Sequence, residues 1–359
     1  MLALSPPDAA LARGVLDARG GFAWWYGDIV DADGNGLVLI GAWGLPFLPG
    51  YASGVRRGAP ERAGDRPSLN LALYRRGKPC FYLLQEAPGA WEADTRWRFG
   101  ESVLESTVVA GERRLVATID CPVAGTSERL RGTVCIAGPA RRPGPGEAAG
   151  GVHHWTPLAA PARGTALLAL GDWRFGVDGR GYHDRNACDV PLDHLGIGEW
   201  LWGRAPLGDG EVVWYLLWPA DGGPAVVWGL WMERDGATRP VEGLTVTLGA
   251  RRRSVYGLAW WDRIVLSVGD TPWVTVTHGP AVEDGPFYLR FLPTVEGAAT
   301  RARGVAELVR PDRVDLDWMR PFVRMRVRPS EGRGSLWLPL FEGPATGRAA
   351  RLLAGWSGG

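Results

Sequence analysis

The sequence predicts an all-β fold of sandwiches or barrels, with few and short helices. Short apolar or alternating runs have the length and composition of strands. These runs are Leu37–Ile40, Leu69–Tyr74, Cys80–Leu84, Arg114–Ile119, Thr133–Ile136, Val212–Trp218, Ala225–Trp231, Leu244–Leu248 and Trp273–Thr277. Asp-Gly pairs, which favour tight turns, lie between several of them, as at Asp33-Gly34 and Asp221-Gly222. Long helices have little room in a chain with 52 Gly and 28 Pro among 359 residues.

Helical patterns occur in three segments, Asp8–Ala18, Asp284–Phe291 and Asp315–Phe322. The chain is longer than one ordinary core requires, so two domains are expected. The Pro- and Gly-rich stretch 139–151 is either a boundary or a long hairpin loop. A boundary there would separate His153 from the strands before it, so the Gly-rich position 195–198 is favoured. The predicted domains are therefore residues 1–196 and 197–359.

Charge and cysteine usage exclude several classes of partner. The net charge is +1 and the pI is about 7.7, which gives no general attraction for nucleic acid. Four dispersed cysteines form no C-x-x-C pair, so they are interpreted as buried, reduced side chains. No signal peptide and no apolar run of membrane-spanning length is visible. We expect a cytoplasmic protein, with work at the cytoplasmic face of a membrane left open.

The residues with the clearest chemical potential lie between positions 153 and 204. His153-His154-Trp155 precedes Gly181-Tyr182-His183-Asp184-Arg185-Asn186, and Trp200 and Trp202 follow. Histidine, tyrosine and carboxylate are the side chains of general acid–base catalysis. The structural alternative is that these are ordinary polar residues at strand ends.

Two ambiguities follow from the pattern itself. Alternation along a strand sends His153 and His154 to opposite faces, so one imidazole at most serves a site. Asp184 could also pair with Arg185 or Arg163, which would lower the pKa of its carboxyl group.

Several motifs in order resemble the carotenoid 1,2-hydratase family. They are Phe22–Asp28, Ser68–Tyr74, His153–Arg163, Gly181–Asn186, Trp200–Arg204, Glu283–Arg290 and Asp312–Phe322. The resemblance implies two calycin-like (lipocalin-like) β domains with the reacting chain end near their junction. It also implies addition of water to the C1–C2 double bond of an acyclic carotenoid, or another polyene, without a metal or organic cofactor.

The family's functional pattern, His-x-Trp followed by Tyr-x-Asp, carries over to His153, Trp155, Tyr182 and Asp184 as catalytic residues. Trp25, Trp202 and Asn186 are expected to bind substrate. This chain departs from the family after Asn186, where Ala187-Cys188-Asp189 follows, and it shows no obvious extra acid after Trp202.

Protonation of an isolated alkene needs a neutral acid that is shielded from water. Burial would raise the pKa of Asp184 and keep its carboxyl group protonated. An indole face would then stabilise the cation, His153 would take the proton of the attacking water, and Tyr182 would orient Asp184 or the water. Asp28 is a weaker second acid candidate.

Two other functions stay open at this stage. One is a polyene cyclase or pericyclase on the same scaffold. The other is a non-catalytic subunit of a photosynthetic pigment–protein complex. Tryptophan pairs suit polyene binding and protein interfaces alike.

Overall fold

The protein is almost entirely β-structure, as predicted. The computed structural model describes residues 2–123, 127–144, 147, 152–322 and 343–344. Within these residues the strands are β1 (Leu2–Leu4), β2 (Phe22–Val30), β3 (Gly36–Trp43), β4 (Pro67–Arg75), β5 (Lys78–Glu86), β6 (Gly89–Ala93), β7 (Arg96–Phe99), β8 (Ser102–Val109), β9 (Glu112–Pro122), β10 (Arg129–Pro139), β11 (His153–Leu170), β12 (Trp173–Cys188), β13 (Ile197–Leu207), β14 (Gly210–Pro219), β15 (Val226–Met232), β16 (Thr238–Pro240), β17 (Leu244–Leu248), β18 (Arg251–Arg253), β19 (Ala259–Trp261), β20 (Arg263–Val268), β21 (Thr271–Thr277), β22 (Glu283–Asp284), β23 (Tyr288–Phe291), β24 (Thr294–Glu296), β25 (Arg301–Arg303), β26 (Val305–Val309) and β27 (Gly343–Pro344). Each strand that the sequence predicts is present.

The helices differ in part from the prediction. The described residues contain one α-helix, Tyr51–Arg56, and 3₁₀ helices at Arg13–Asp17, Ala63–Asp65, Leu192–Leu195, Pro311–Arg313 and Asp317–Phe322. The helix predicted over Asp284–Phe291 is wrong, because this segment is the β22–β23 hairpin. Within the turn, the N–H of Gly285 donates to the carbonyl of Tyr288 at 2.9 Å. Pro286, in the same turn, has no N–H to donate to a helical hydrogen bond.

The first sheet, sheet I, has the order β27-β5-β4-β3-β2-β12-β11-β10-β9-β8-β7-β6, and β1 pairs with β11. It curls until its distant strands meet over one apolar core. Gly41 of β3 marks this closure, because a Cβ atom there would lie 2.6 Å from Leu104 and 2.7 Å from Phe99. Trp25 and Trp97 stack at 4.0 Å within the same core.

The second half of the chain forms the other sheets. Sheet II has the order β16-β15-β14-β13-β26-β23-β22, and sheet III has the order β17-β20-β21-β24-β25. Sheets II and III enclose an apolar core of their own around Trp214 and Phe291. The opposite face of sheet II packs on the outer face of sheet I, and that layer contains Trp155, Tyr182 and Trp202.

The Pro- and Gly-rich stretch after Pro139 connects two antiparallel neighbours, β10 and β11, within sheet I. The chain passes from sheet I to sheet II between Cys188 and Ile197. We retain a domain boundary near residue 196 as a proposal, with β27 returning to the edge of sheet I.

Candidate active site

A cavity lies between sheets I and II, with a volume of about 80 Å³, which is room for several water molecules. Most of its wall is aromatic or aliphatic. The lining residues are Trp24, Tyr26, Ile40, Leu45, Phe47, Asn70, Leu84, His153, Asp184, Asn186, Ile197, Trp200, Trp202, Tyr215, Leu217, Glu283, Tyr288, Arg290, Glu307 and Val309.

Strand pairing explains why residues so distant in sequence line one cavity. In sheet I a row of directly opposed residues crosses five strands in the order Asp184, Tyr26, Ile40, Asn70 and Leu84. Residues opposed in this way point to the same face of a sheet. The period of two then places Asn186 and Trp24 in a parallel row on that face.

Sheet II presents a matching row. Tyr215, Trp202, Glu307, Arg290 and Glu283 are directly opposed across five successive strands. The next row on the same face contains Leu217, Trp200, Val309 and Tyr288. The cavity is the space between the rows of the two sheets.

Asp184 is the buried acid of this cavity. Its Oδ2 accepts hydrogen bonds from Trp155 Nε1 at 2.7 Å and Tyr182 OH at 3.0 Å, and its Oδ1 accepts one from Asn186 Nδ2 at 3.1 Å. Burial raises the pKa of Asp184 to about 8, although the hydrogen bonds from Trp155 and Tyr182 oppose this rise. The carboxyl group is therefore largely protonated at neutral pH.

The ion pairs considered for Asp184 do not form. Arg185 donates instead to the backbone carbonyls of Pro6 and Ala9. Arg163 lies 3.5 Å from Asp178 on the exposed side of sheet I.

His153 lines the cavity and is joined to Asp184 through Asn186. Its Nε2 lies 3.0 Å from Asn186 Oδ1. Because the amide nitrogen of Asn186 donates to Asp184, its oxygen must accept, so Nε2 of His153 carries the hydrogen. Nδ1 is then a buried acceptor, and it has no partner among the described residues. Burial lowers the pKa of His153 to about 4, so the ring is neutral at pH 7.

His154 lies on the opposite face of β11, where its Nδ1 is 3.0 Å from Ser5 Oγ. The other histidines have structural contacts or an exposed position. His183 bonds to Ser106 and Tyr26, His278 bonds to Trp261, and His194 is largely exposed.

Trp155 and Tyr182 support Asp184 from behind the cavity wall rather than lining it. Both side chains are fully buried. The Trp155 ring meets the rings of Tyr215 and Trp228 edge-on at 5.3 and 5.2 Å. The indole of Trp155 is therefore placed to hold the acid and does not present a face to the cavity.

The expectation for Trp25 as a substrate-binding residue is corrected by the structure, whereas Trp202 and Asn186 both line the cavity. Trp25 points into the core of sheet I, where it stacks on Trp97. Its neighbours Trp24 and Tyr26 point to the cavity because side chains alternate along β2.

The cavity also holds acids that the sequence reasoning missed. Glu307 and Glu283, both after Trp202 in the chain, line it together with Arg290. No obvious extra acid was expected after Trp202, and the structure adds these two. Glu283 and Arg290 begin and end the motif Glu283–Arg290, but nothing in its local pattern shows which face of a sheet their side chains occupy.

Asp28, the second acid candidate, is fully buried and paired with Arg204, which also bonds to Glu211 at 3.1 Å. Burial raises the pKa of Asp28, and the guanidinium of Arg204 opposes the rise. Asp28 does not line the cavity. It is therefore placed to join the two sheets rather than to donate a proton there.

Across the described ranges, no group of three His, Cys, Asp or Glu side chains is arranged to hold a metal ion. The same residues include no helix long and apolar enough to cross a membrane.

A curled sheet packed on a second sheet, with a buried neutral carboxyl group in an apolar cavity between them, defines a lipocalin-like protein with a candidate acid-catalysis site. Sequence comparison identifies the group. The family model described as carotenoid hydratase CrtC matches residues 39–334. The chain belongs to this family, and it is an enzyme of the hydro-lyase class.

The curated relatives include two proteins named as hydratases and one named as a dehydrogenase. The chain is 24% identical over 349 residues to a hydroxyneurosporene dehydrogenase of Chlorobaculum tepidum, covering 87% of this chain and 88% of the relative. It is 30% identical over 209 residues to the acyclic carotenoid 1,2-hydratase of Thiocapsa roseopersicina, and 33% identical over 196 residues to that of Rubrivivax gelatinosus. These two matches cover 55% and 53% of this chain, and 47% and 46% of the relatives.

Solved structures share the fold. An AttH-type protein of Nitrosomonas europaea superposes with a TM-score of 0.54 at 15% identity, over 86% of this chain and 98% of the other. CghA with Sch210972 superposes with a TM-score of 0.52 at 13% identity, over 86% and 96%. At these identities the likeness concerns the fold alone.

Proposed function

We propose that this protein adds water to the terminal C1–C2 double bond of an acyclic carotenoid, giving a tertiary alcohol, with Asp184 as the proton donor. The observation that carries the proposal is the buried Asp184 carboxyl group, which is held by neutral donors in an apolar cavity. Family membership supports carotenoid hydration in general. The roles of the residues are argued from their contacts.

Asp184 is suited to give a proton to a carbon atom. The donors Trp155 and Tyr182 occupy Oδ2, and Asn186 occupies one side of Oδ1. The acid proton is therefore best placed on the remaining side of Oδ1, toward the cavity. Transfer to C2 forms the new C–H bond and leaves positive charge on C1, where two methyl groups and the chain stabilise it. The cavity rings of Trp24, Trp202 and Tyr215 add cation–π attraction, typically about 0.5–2 kcal/mol.

His153 is suited to receive the proton of the attacking water. Water bonding to C1 gives a protonated alcohol, which is a strong acid, so a neutral imidazole with a pKa of about 4 is a sufficient acceptor. The free Nδ1 is the accepting atom. Return of that proton from His153 to Asp184 through solvent restores both groups, and the net reaction consumes one alkene and one water.

The residues named need no metal or organic cofactor for these steps. Acyclic carotenoids partition into bilayers, so we further propose peripheral contact with the photosynthetic membrane, or with a complex in it, at the cytoplasmic face. A polyene cyclase and a non-catalytic pigment–protein subunit are the competing functions, and both lack net addition of water.

Incubation of the purified protein with lycopene or neurosporene in detergent tests the proposal. We expect a product heavier by one water. In deuterium oxide one deuterium should appear at C2, and in ¹⁸O-water the label should appear in the alcohol. A bound but chemically unchanged polyene would contradict hydration, and an isomeric product of unchanged mass would identify a cyclase.

A further inference from the structure

Arg290 organises a second polar cluster in the cavity wall. Its Nε donates to Glu307 Oε1 at 2.9 Å, and its Nη1 donates to Tyr74 OH at 2.6 Å and to Glu283 Oε1. Tyr26 OH also donates to Glu307 Oε1, at 3.2 Å. The cluster joins both sheets, because the two tyrosines belong to sheet I and the other three residues to sheet II.

The charges within this cluster do not cancel. One guanidinium faces two carboxylates, which leaves an excess of one negative charge. The buried cluster of Asp28, Arg204 and Glu211 also has two acids for one guanidinium, but burial raises the pKa of both of those acids, and neither of them lines the cavity as Glu307 does. The excess is explained if positive charge develops in the cavity.

Of the two carboxylates in this cluster, Glu307 is the nearer to the place where that charge would form. It lies directly opposite Trp202 in sheet II, whereas Glu283 is two strands further away, about 10 Å at ordinary strand spacing. Both hydrogen bonds to Glu307 reach Oε1. Oε2 has no protein partner within the described part of the chain. The Glu307 side chain is 14% exposed, and it lines the cavity.

Tyr26 connects Glu307 with the neighbourhood of Asp184. Tyr26, which bonds to Glu307, is the residue directly opposite Asp184 in sheet I. A substrate end that lies against Asp184 and Trp202 therefore also lies beside Glu307.

We propose that the Glu307 carboxylate, held by Arg290 and Tyr26, is the counter-anion of the cationic intermediate. The inference rests on the proposed hydration. Proton transfer leaves a carboxylate on Asp184 and positive charge on C1, and the fixed Glu307 carboxylate beside C1 adds to the stabilisation of that charge because it needs no reorganisation.

The same charge acts on the acid. The groups that face Asp184 are Trp155 and His153 from β11, Tyr182 and Asn186 from β12, Tyr26 and Asp28 from β2, Tyr215 from β14 and Glu307 from β26. The negative charges of Glu307 and Asp28 support the raised pKa of Asp184. Removing the charge of Glu307 should lower that pKa, so the alkaline fall in activity should move to lower pH.

Glu307→Gln is the test, with Glu283→Gln as the matched control. Both side chains bind Arg290, both are similarly exposed at 14% and 15%, and both substitutions remove one charge. For Glu307→Gln we expect kcat to fall about 100-fold, with little change in KM and an alkaline limb at lower pH. Glu283→Gln should lose much less, and Glu307→Asp should retain most activity. Equal losses of kcat in the two Gln variants would overturn the proposal. So would an alkaline limb of the pH–activity profile that stays at the same pH in Glu307→Gln.

A binding measurement tests the counter-anion without turnover. The probes are an acyclic isoprenoid chain that ends in a dimethylammonium group and the same chain that ends in an isopropyl group. Glu307→Gln should weaken binding of the cationic probe at least tenfold and leave the neutral probe unchanged, whereas equal effects on both probes would refute the inference. Absence of a water adduct from the wild type would count against hydration alone, because the charge preference of the cavity is measured separately.

Discussion

At the scale of single residues, the chemistry depends on how Asp184 is held. Burial and neighbouring negative charge raise the pKa of its carboxyl group, and hydrogen bonds from neutral donors oppose that rise. Such donors fix the orientation of the acid without the positive charge that would ionise it. An arginine at the same place would have held the group equally firmly and removed its transferable proton.

Asp184→Asn should abolish hydration while polyene binding survives. The amide keeps the size of the side chain but has no transferable proton, so kcat should fall by about 10³-fold or more. Wild-type activity should decline as pH rises through about 8, where Asp184 ionises. Asp178→Asn is the control, since it makes the same change at an exposed site on the same strand. Full activity in Asp184→Asn would disprove the acid role.

Trp155→Phe should shift the pH dependence without removing the acid. The indole N–H stabilises the Asp184 carboxylate, so its loss should raise the pKa of Asp184 further and move the alkaline limb up by up to about one pH unit. Trp228→Phe is the control, because Trp228 packs on Trp155 and, among the residues described, makes no hydrogen bond to Asp184. An alkaline limb that moves to lower pH in Trp155→Phe, or that moves equally in both variants, would contradict this role.

At the scale of elements, the alternation of side chains along a strand assigns neighbours to different tasks. On β2, Trp24 and Tyr26 face the cavity while Trp25 faces the core of sheet I. On β12, Tyr182, Asp184 and Asn186 share the outer face, whereas His183 turns inward to Ser106. Each strand therefore contributes to packing and to the site with alternate residues.

Trp25→Ala and Trp24→Ala should separate stability from binding. Trp25→Ala removes a stacked ring from the core and should lower the free energy of unfolding by about 3–5 kcal/mol, with little change in KM of the folded protein. Trp24→Ala should raise KM with a smaller loss of stability, because its side chain is only half-buried and lines the cavity. Urea unfolding and steady-state kinetics on both variants check this, and the reverse pattern would contradict the assignment of faces.

At the scale of the whole molecule, the site exists because two sheets from different halves of the chain pack together. Arg204 of sheet II lies between Asp28 of sheet I and Glu211, all three fully buried. Burial raises the pKa of Glu211 to about 7, and its Oε2 has no hydrogen-bond partner in the described part of the structure. A proton on Glu211 can therefore neutralise this triad.

Glu211→Gln should flatten the pH dependence of stability. The folded pKa of Glu211, about 7, lies above an unfolded value of roughly 4.3. The folded state thus binds more protons between these values, and the free energy of unfolding should fall as pH rises through that window. Urea unfolding between pH 5 and 8 should show a smaller fall for Glu211→Gln than for the wild type or for the exposed control Glu101→Gln. An unchanged slope would show that Glu211 ionises normally in the folded protein.

The sequence alone determined the β-rich class, because turn residues and alternating runs act locally and need no partner. It also determined which residue types could serve acid–base chemistry, since His153-x-Trp155 and Tyr182-x-Asp184 share a face wherever they form strands. Only the tertiary structure decided which face of each strand meets the cavity. Trp24 and Tyr26, rather than Trp25, therefore line it. It also brought Glu307 beside Tyr26, across 281 positions of sequence. The physical reason is that strand register and sheet packing depend on contacts between distant segments, and these leave no periodic signal within either segment.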